Sequence, residues 1–146
     1  LVEYYRKNNP MNIDPVAQNT LMGAKSELIL NTFWVNYQYK TEFNPFHDHT
    51  GVYSFAIWMK IPYDSEKQKK LPQFSGIKKS NIKAGNFQFE YSDTLGVIKN
   101  YSYNLSQEYE GFMVFFPAGL RHCVYPFYGI DEPRISIAGN LSYLAA

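Results

Sequence analysis

The chain has 146 residues, 45% of them hydrophobic and 18% charged, so it should fold around a single core. Its formal net charge of +1 gives no electrostatic signal for binding to nucleic acid. Its single cysteine, Cys123, excludes an internal disulfide and a cysteine-rich zinc site. The sequence contains no long apolar run and no signal-peptide pattern, so we expect a soluble cytoplasmic protein without a membrane partner.

We expect one domain over residues 1–146, with an N-terminal extension over 1–26 and a β-core over 27–146. Because the chain begins at Leu1 instead of Met, the sequence is compatible with a processed or truncated N-terminus. Residues 1–7 resemble the end of a helix, and the Asn- and Pro-rich residues 8–15 read as a loop. Asp14 followed by Pro15 predicts a short helix that runs to Leu21.

From Glu27 onward, short runs rich in aromatic and β-branched residues predict about eight strands. The runs are 27–40 (with a break at Asn31), 51–61, 86–91, 97–103, 111–116, 123–128 and 134–143. A polar connector with six lysines, residues 67–83, separates two of them; it is either a solvated loop or a lid that attracts an anionic substrate. Many short strands divided by turn residues are typical of an all-β fold, either a sandwich or a barrel.

The chain contains only three histidines, and two of them flank Asp48. In an extended backbone His47 and His49 point to the same face, about 7 Å apart along the chain, whereas Asp48 points to the other face. The third, His122, lies at a turn between two predicted strands. Three neutral imidazoles can bind iron, zinc or copper. The alternative is that these are ordinary surface or core histidines.

Arg134 and Ser136 share one face of the last predicted strand. A guanidinium group beside a hydroxyl is well suited to bind a carboxylate. Because His122 lies one hairpin earlier in the chain, Arg134 could sit next to the proposed metal. The alternative is a surface arginine that pairs with Asp131 or Glu132.

Together these residues resemble the iron(II)/2-oxoglutarate-dependent oxygenases, whose fold is a double-stranded β-helix of the jelly-roll, cupin-like type. In that family an H-x-(Asp/Glu) pair is followed by a distal His and then by an Arg with Ser or Thr two residues later. The chain is most similar to a small bacterial and phage subgroup, over about residues 33–143. The similar segments are Trp34-Val35-Asn36, Asn44 to His49, Gly51-Val52-Tyr53, Phe116 to His122 and Arg134 to Leu141.

The resemblance implies an iron(II) ion held by His47, His49 and His122. His49 departs from the usual pattern, because that position normally carries a carboxylate; a third neutral imidazole leaves the site one unit more positive. Two alternatives are that Asp48 supplies a carboxylate where the strand bulges, or that His49 stays outside the coordination sphere and water takes its place.

The resemblance also implies 2-oxoglutarate as cosubstrate, with its distal carboxylate bound by Arg134 and Ser136. Asn36 and Gln38, on the early strand, are further candidates for contacts with the cosubstrate, or else are ordinary inward-facing polar residues. The implied reaction is a dioxygenase reaction that releases succinate and carbon dioxide. Hydroxylation of an unidentified small-molecule or peptide substrate is the expected outcome.

Two other functions stay open from the sequence. One is a cupin-like metalloenzyme with three histidine ligands that does not use 2-oxoglutarate and therefore does not need Arg134. The other is a non-catalytic jelly-roll module with a binding or structural role, which would bind no metal. Exposed edge strands and abundant tyrosine also make a homodimer plausible.

Overall fold

A computed structural model describes residues 27–144 of the chain. The strands are β1 (Leu28–Gln38), β2 (Asn44–His47), β3 (Tyr53–Lys60), β4 (Phe87–Ser92), β5 (Ile98–Tyr103), β6 (Met113–Pro117), β7 (His122–Val124) and β8 (Arg134–Tyr143). The one-turn helix α1 spans Ser65–Gln68, and 3-10 turns span Pro72–Phe74, Lys79–Asn81 and Gln107–Tyr109. The elements predicted for residues 1–7, 8–15 and 15–21 lie outside the described residues.

The strands form two antiparallel four-stranded sheets, with the orders β1-β8-β3-β6 and β2-β7-β4-β5. Apart from the β4–β5 hairpin, each connection carries the chain from one sheet to the other. This alternation is that of a jelly roll, so the predicted all-β, double-stranded β-helix fold is confirmed. Between residues 27 and 144 there is no helix of sufficient length and apolar character to span a membrane.

Two strands differ from the prediction, and proline accounts for both differences. The strand predicted over residues 123–128 ends at Val124, because Pro126 has no N–H group for a sheet and the backbone there bonds to the segment before β4. Strand β2 was not predicted as a separate element, since Pro45 inside it argues against a strand. It is a short edge strand that pairs with β7 at Asn44 and His47.

The core between the two sheets is mainly aromatic. Its buried cluster consists of Trp58, Ile61, Tyr63, Phe87, Phe89, Leu105, Val114, Phe116 and Phe127. Cys123 is fully buried and packs as a small apolar residue. The high aromatic content of the sequence therefore serves mainly to fill the space between the sheets.

A buried polar side chain joins the three neighbouring strands β1, β8 and β3. The side-chain oxygen of Asn140, on β8, accepts a hydrogen bond from Ser54 Oγ on β3 (2.7 Å). Its amide nitrogen donates to Thr32 Oγ1 on β1 (2.9 Å). We refer to these three residues as the polar ladder. Ser54 and Asn140 are buried, and these bonds satisfy the Asn140 amide, which would be costly to leave unpaired there.

Candidate functional site

The fold brings the three histidines together at one end of the space between the sheets. His47 ends β2 and lies opposite His122, the first residue of β7. The backbone N–H of His49 donates to the carbonyl of Ala118 (2.9 Å), which holds His49 beside the turn that precedes β7. One ring nitrogen from each of the three histidines lies within 4.8 Å of the others. Three donors so close together could converge on one metal ion.

Backbone carbonyl groups orient two of these rings. Nδ1 of His47 lies 2.7 Å from the carbonyl oxygen of Pro45, and Nδ1 of His122 lies 3.0 Å from that of Leu120. Because a carbonyl oxygen only accepts, each Nδ1 carries a proton, so that in the neutral ring Nε2 keeps the free lone pair. Histidines that bind metals in proteins are usually held in this way.

Burial favours the neutral form of His49 and His122. It lowers the pKa of His122 from 6.5 to about 4. Burial, followed by repulsion from His47, also lowers the pKa of His49. Neutral imidazole is the form that binds a metal.

The cluster contains no carboxylate among the described residues. Asp48, between the two neighbouring histidines, is exposed. The alternation expected of an extended backbone therefore holds here: His47 and His49 are half-buried, and the residue between them faces solvent.

Arg134 lies at the first position of β8, opposite Gln38 at the end of β1, and is only 5% exposed. Its Nη1 donates to the hydroxyl oxygen of Tyr63 (2.7 Å), and its Nη2 donates to Oε1 of Gln38. The Tyr63 hydroxyl in turn donates to the carbonyl of Gly85 (2.8 Å). The guanidinium group is thus held from two sides by neutral groups.

The acidic residues close to Arg134 in sequence are paired elsewhere. Asp131 forms an ion pair with Lys40, and Glu132 forms one with Lys60 (2.6 Å). No carboxylate within residues 27–144 forms an ion pair with Arg134, so the alternative of a paired surface arginine is wrong. A buried cation without a counter-charge is costly, so an anion could complete this site.

The histidines and Arg134 line one continuous space. The inner cavity, of about 130 Å³, is bounded by His47, His49 and His122 at one end and by Arg134 and Ser136 at the other. An outer cavity of about 430 Å³ adjoins it and opens past Tyr37, Glu42 and Phe43. The residues that line both cavities are Asn36, Asn44, Val124, Arg134 and Ser136.

Four of the sequence-predicted residues occupy the arginine end of this space. Asn36 on β1 and Ser136 on β8 are direct cross-strand partners, and both line the cavities. Gln38 lines the outer cavity only; its amide nitrogen donates to the backbone carbonyl of Glu42 (2.6 Å) and its oxygen accepts from Arg134.

Tyr63 is the residue of this site that the sequence did not predict. It follows β3 by three residues, and its contact with Arg134 joins positions 71 apart in the chain, so no local pattern marks it. The one sequence signal nearby is Gly85. Its φ of +74° favours glycine, and a Cβ atom there would lie 2.6 Å from the Tyr63 ring.

Comparison with known proteins agrees with this geometry. Residues 32–140, about three quarters of the chain, match the model of a protein family described as "Putative 2OG-Fe(II) oxygenase". The matched range includes all three histidines as well as Arg134. A search of curated proteins found no match. Because the family model covers most of the chain, this protein belongs to the 2-oxoglutarate- and iron(II)-dependent oxygenase family that the model describes.

Proposed function

We propose that this protein is an iron(II)- and 2-oxoglutarate-dependent oxygenase that hydroxylates a small-molecule or peptide substrate. The observation that carries the proposal is Arg134, a buried guanidinium group without a carboxylate partner among residues 27–144, in the same cavity as three imidazoles. A ligand that fits both ends has a carboxylate at one end and a metal-chelating group at the other. 2-Oxoglutarate has both.

His47, His49 and His122 would hold the metal. The donor set fits iron(II), because neutral imidazole nitrogens bind divalent metals of intermediate softness. Iron(II) and 2-oxoglutarate, when bound, supply the family's oxygen chemistry, in which substrate oxidation accompanies the formation of succinate and carbon dioxide. The Pro45 and Leu120 carbonyls would keep the proton of His47 and of His122 on Nδ1, away from the metal.

Arg134 and Ser136 would bind the distal carboxylate of the cosubstrate. Asn36, on the neighbouring strand β1, would also contact the cosubstrate. We assign Gln38 and Tyr63 to positioning, since both already bind the guanidinium group. A guanidinium held in place before binding loses less freedom when the carboxylate arrives, which favours affinity.

Aromatic rings would keep water away from the reacting end. The Phe87 ring stacks on His122 with centroids 5.5 Å apart, and the Phe116 ring lies 5.0 Å from the same imidazole. Trp34 packs against His49 at 5.7 Å. These residues and Trp58 line the inner cavity. Exclusion of water protects reactive intermediates from side reactions.

A second candidate is a three-histidine metalloenzyme that does not use 2-oxoglutarate. No carboxylate of residues 27–144 joins the cluster, which favours this candidate, because the family usually has a carboxylate at the position of His49. The two candidates differ in their need for Arg134, which the second reaction would not require.

The test is an anaerobic titration of the metal-free protein with iron(II) and then with 2-oxoglutarate, followed by visible absorption spectroscopy. We expect the charge-transfer band of a chelated 2-oxo acid in the wild type and its loss in Arg134→Ala. The matched control is Arg121→Ala, since Arg121 is exposed and paired with Glu90. Metal binding without the band would favour the second candidate, and folded protein that binds no metal would contradict both.

A further inference from the structure

Among residues 27–144, the two sheets have four edges, which differ in how they resist pairing with other strands. β2 has four residues and contains Pro45, and β6 has five residues and ends at Pro117. β5 has six residues and carries Lys99. Short length, proline and lysine are the usual features by which natural proteins keep edge strands from associating.

Strand β1 has none of these features. It is 11 residues long, and its sequence LILNTFWVNYQ contains no proline, no glycine and no charged residue. Within residues 27–144 it pairs only with β8. Its one irregularity lies between Leu30 and Thr32, so the stretch from Thr32 to Gln38 is a regular, unprotected edge.

The side chains of this edge that alternate with the inner-cavity residues Trp34 and Asn36 are hydrophobic and exposed. Phe33 is 59% exposed, Val35 is 44% exposed and Tyr37 is 59% exposed. Across the sheet, Val35 lies beside Ile137, and the ring of Phe33 lies 6.5 Å from that of Phe55. The edge thus borders an apolar strip on the outer face of the sheet, which is typical of a surface that another chain covers.

We propose that β1 pairs with β1 of a second copy of this chain, antiparallel and about a two-fold axis at Val35. This pairing joins the two four-stranded sheets of a homodimer into one continuous eight-stranded sheet. A two-fold interface uses the same patch twice, so the patch must be complementary to itself.

The sequence of β1 meets this condition. With the axis at Val35, Phe33 of each copy lies opposite Tyr37 of the other copy. The two copies of Val35 lie opposite each other at the centre. Aromatic cross-strand pairs stabilise antiparallel sheets, and like charges placed opposite each other destabilise them. Because the strand carries no charge, the self-pairing has no repulsive contact. A second copy is the partner that this uncharged, self-complementary edge fits.

The first test is the molar mass of the full 146-residue chain, measured by light scattering during gel filtration. We expect about twice 17.0 kDa for the wild type. Val35→Lys places two ammonium groups together at the axis and should weaken the dimer about tenfold or more. Ile98→Lys is the matched control, because Ile98 is 61% exposed on the edge strand β5 and should leave the dimer intact.

A second variant keeps the proposal testable if Val35→Lys does not fold. Oxidation of Val35→Cys should give a disulfide-linked dimer, because the only native thiol, Cys123, is buried; Ile98→Cys should give none. A monomeric wild-type chain with β1 amides protected from hydrogen exchange would mean that residues 1–26 cover this edge, and would overturn the proposal. Equal dimer stability in wild type and Val35→Lys would overturn it as well.

Discussion

The two ends of the cavity are built in different ways. At the histidine end, the rings of His47 and His122 each bond to a carbonyl two residues away, so short stretches of backbone set their orientation. At the other end, Arg134 is held by Tyr63 and Gln38, which are 71 and 96 residues away in the chain. The geometry of the proposed metal site is therefore local, whereas the geometry of the proposed anion site depends on tertiary packing.

This difference predicts how each end responds to mutation. His47 and His49 are half-buried at the rim, and a change there should remove one ligand with little effect on the fold. Arg134 and Tyr63 are buried, so changes there leave polar groups unpaired inside the protein. Loss of metal and loss of cosubstrate should consequently be separable.

The largest expected effect is the loss of a histidine ligand. His122→Ala should reduce iron(II) or cobalt(II) affinity by more than about 100-fold, since changes to the groups that merely orient a ligand cost about 10–100-fold. Anaerobic equilibrium dialysis measures this. Asp48→Asn is the control, because Asp48 is exposed, and it should bind metal like the wild type. Strong loss in Asp48→Asn would instead indicate that Asp48 is a ligand.

Next in size is the loss of the buried guanidinium. Arg134→Ala should weaken 2-oxoglutarate binding to the metal-loaded protein by about 30–100-fold, while metal affinity stays unchanged. Calorimetry under anaerobic conditions measures both affinities. If Arg134→Ala removed metal binding as well, the two ends of the cavity would not be independent.

Acidification separates the two ends in another way. Arginine stays charged throughout, but His122 has a pKa of about 4 in the folded protein against 6.5 as its ordinary value. Between pH 4 and pH 6.5 the unfolded chain therefore binds more protons than the folded protein. The free energy of unfolding consequently falls as the pH falls. From pH 7 to pH 5, metal-free protein should lose about 2 kcal/mol of unfolding free energy through His122.

Chemical denaturation at several pH values measures this loss. In His122→Gln the pH dependence over the same range should be clearly shallower. An unchanged profile would mean that His122 does not titrate as its burial indicates.

The smallest predicted effect concerns a positioning residue. Tyr63→Phe removes the hydroxyl that accepts from Arg134 and donates to Gly85, which should weaken 2-oxoglutarate binding about fivefold, or by about 1 kcal/mol. Metal affinity should not change. Tyr91→Phe, at an exposed tyrosine, is the control for a lost hydroxyl. An unchanged 2-oxoglutarate affinity in Tyr63→Phe would mean that Tyr63 does not position Arg134.

The histidine end could be predicted from sequence because its geometry follows from strand alternation. His47 and His49 share a face two residues apart, and that regularity needs no knowledge of the rest of the fold. Arg134 and Ser136 could be recognised for the same reason. The sequence therefore predicts which side chains share a face wherever the backbone is regular.

The rest of the site depends on contacts that alternation cannot predict. Tyr63 lies in a loop after β3, and its role arises only when that loop packs beneath β8 and against Gly85. Strand β2 was missed because Pro45 opposes a strand locally, yet pairing with β7 at two positions is enough to hold it. In both cases long-range packing overrides the local signal.

The polar ladder has a consequence for the proposed cosubstrate site. Asn140 lies on the same strand as Arg134, about 20 Å further along at about 3.3 Å per residue. A slip of β8 by one residue would turn Arg134 to solvent and Ile135 into the cavity. The same slip would carry the Asn140 amide to the outer face as well, which would break its bonds with Ser54 and Thr32 and leave the buried Ser54 hydroxyl without this partner. Asn140 thus favours the one register of β8 that turns Arg134 into the cavity. The orientation of the guanidinium group therefore depends on a residue six positions further along the same strand.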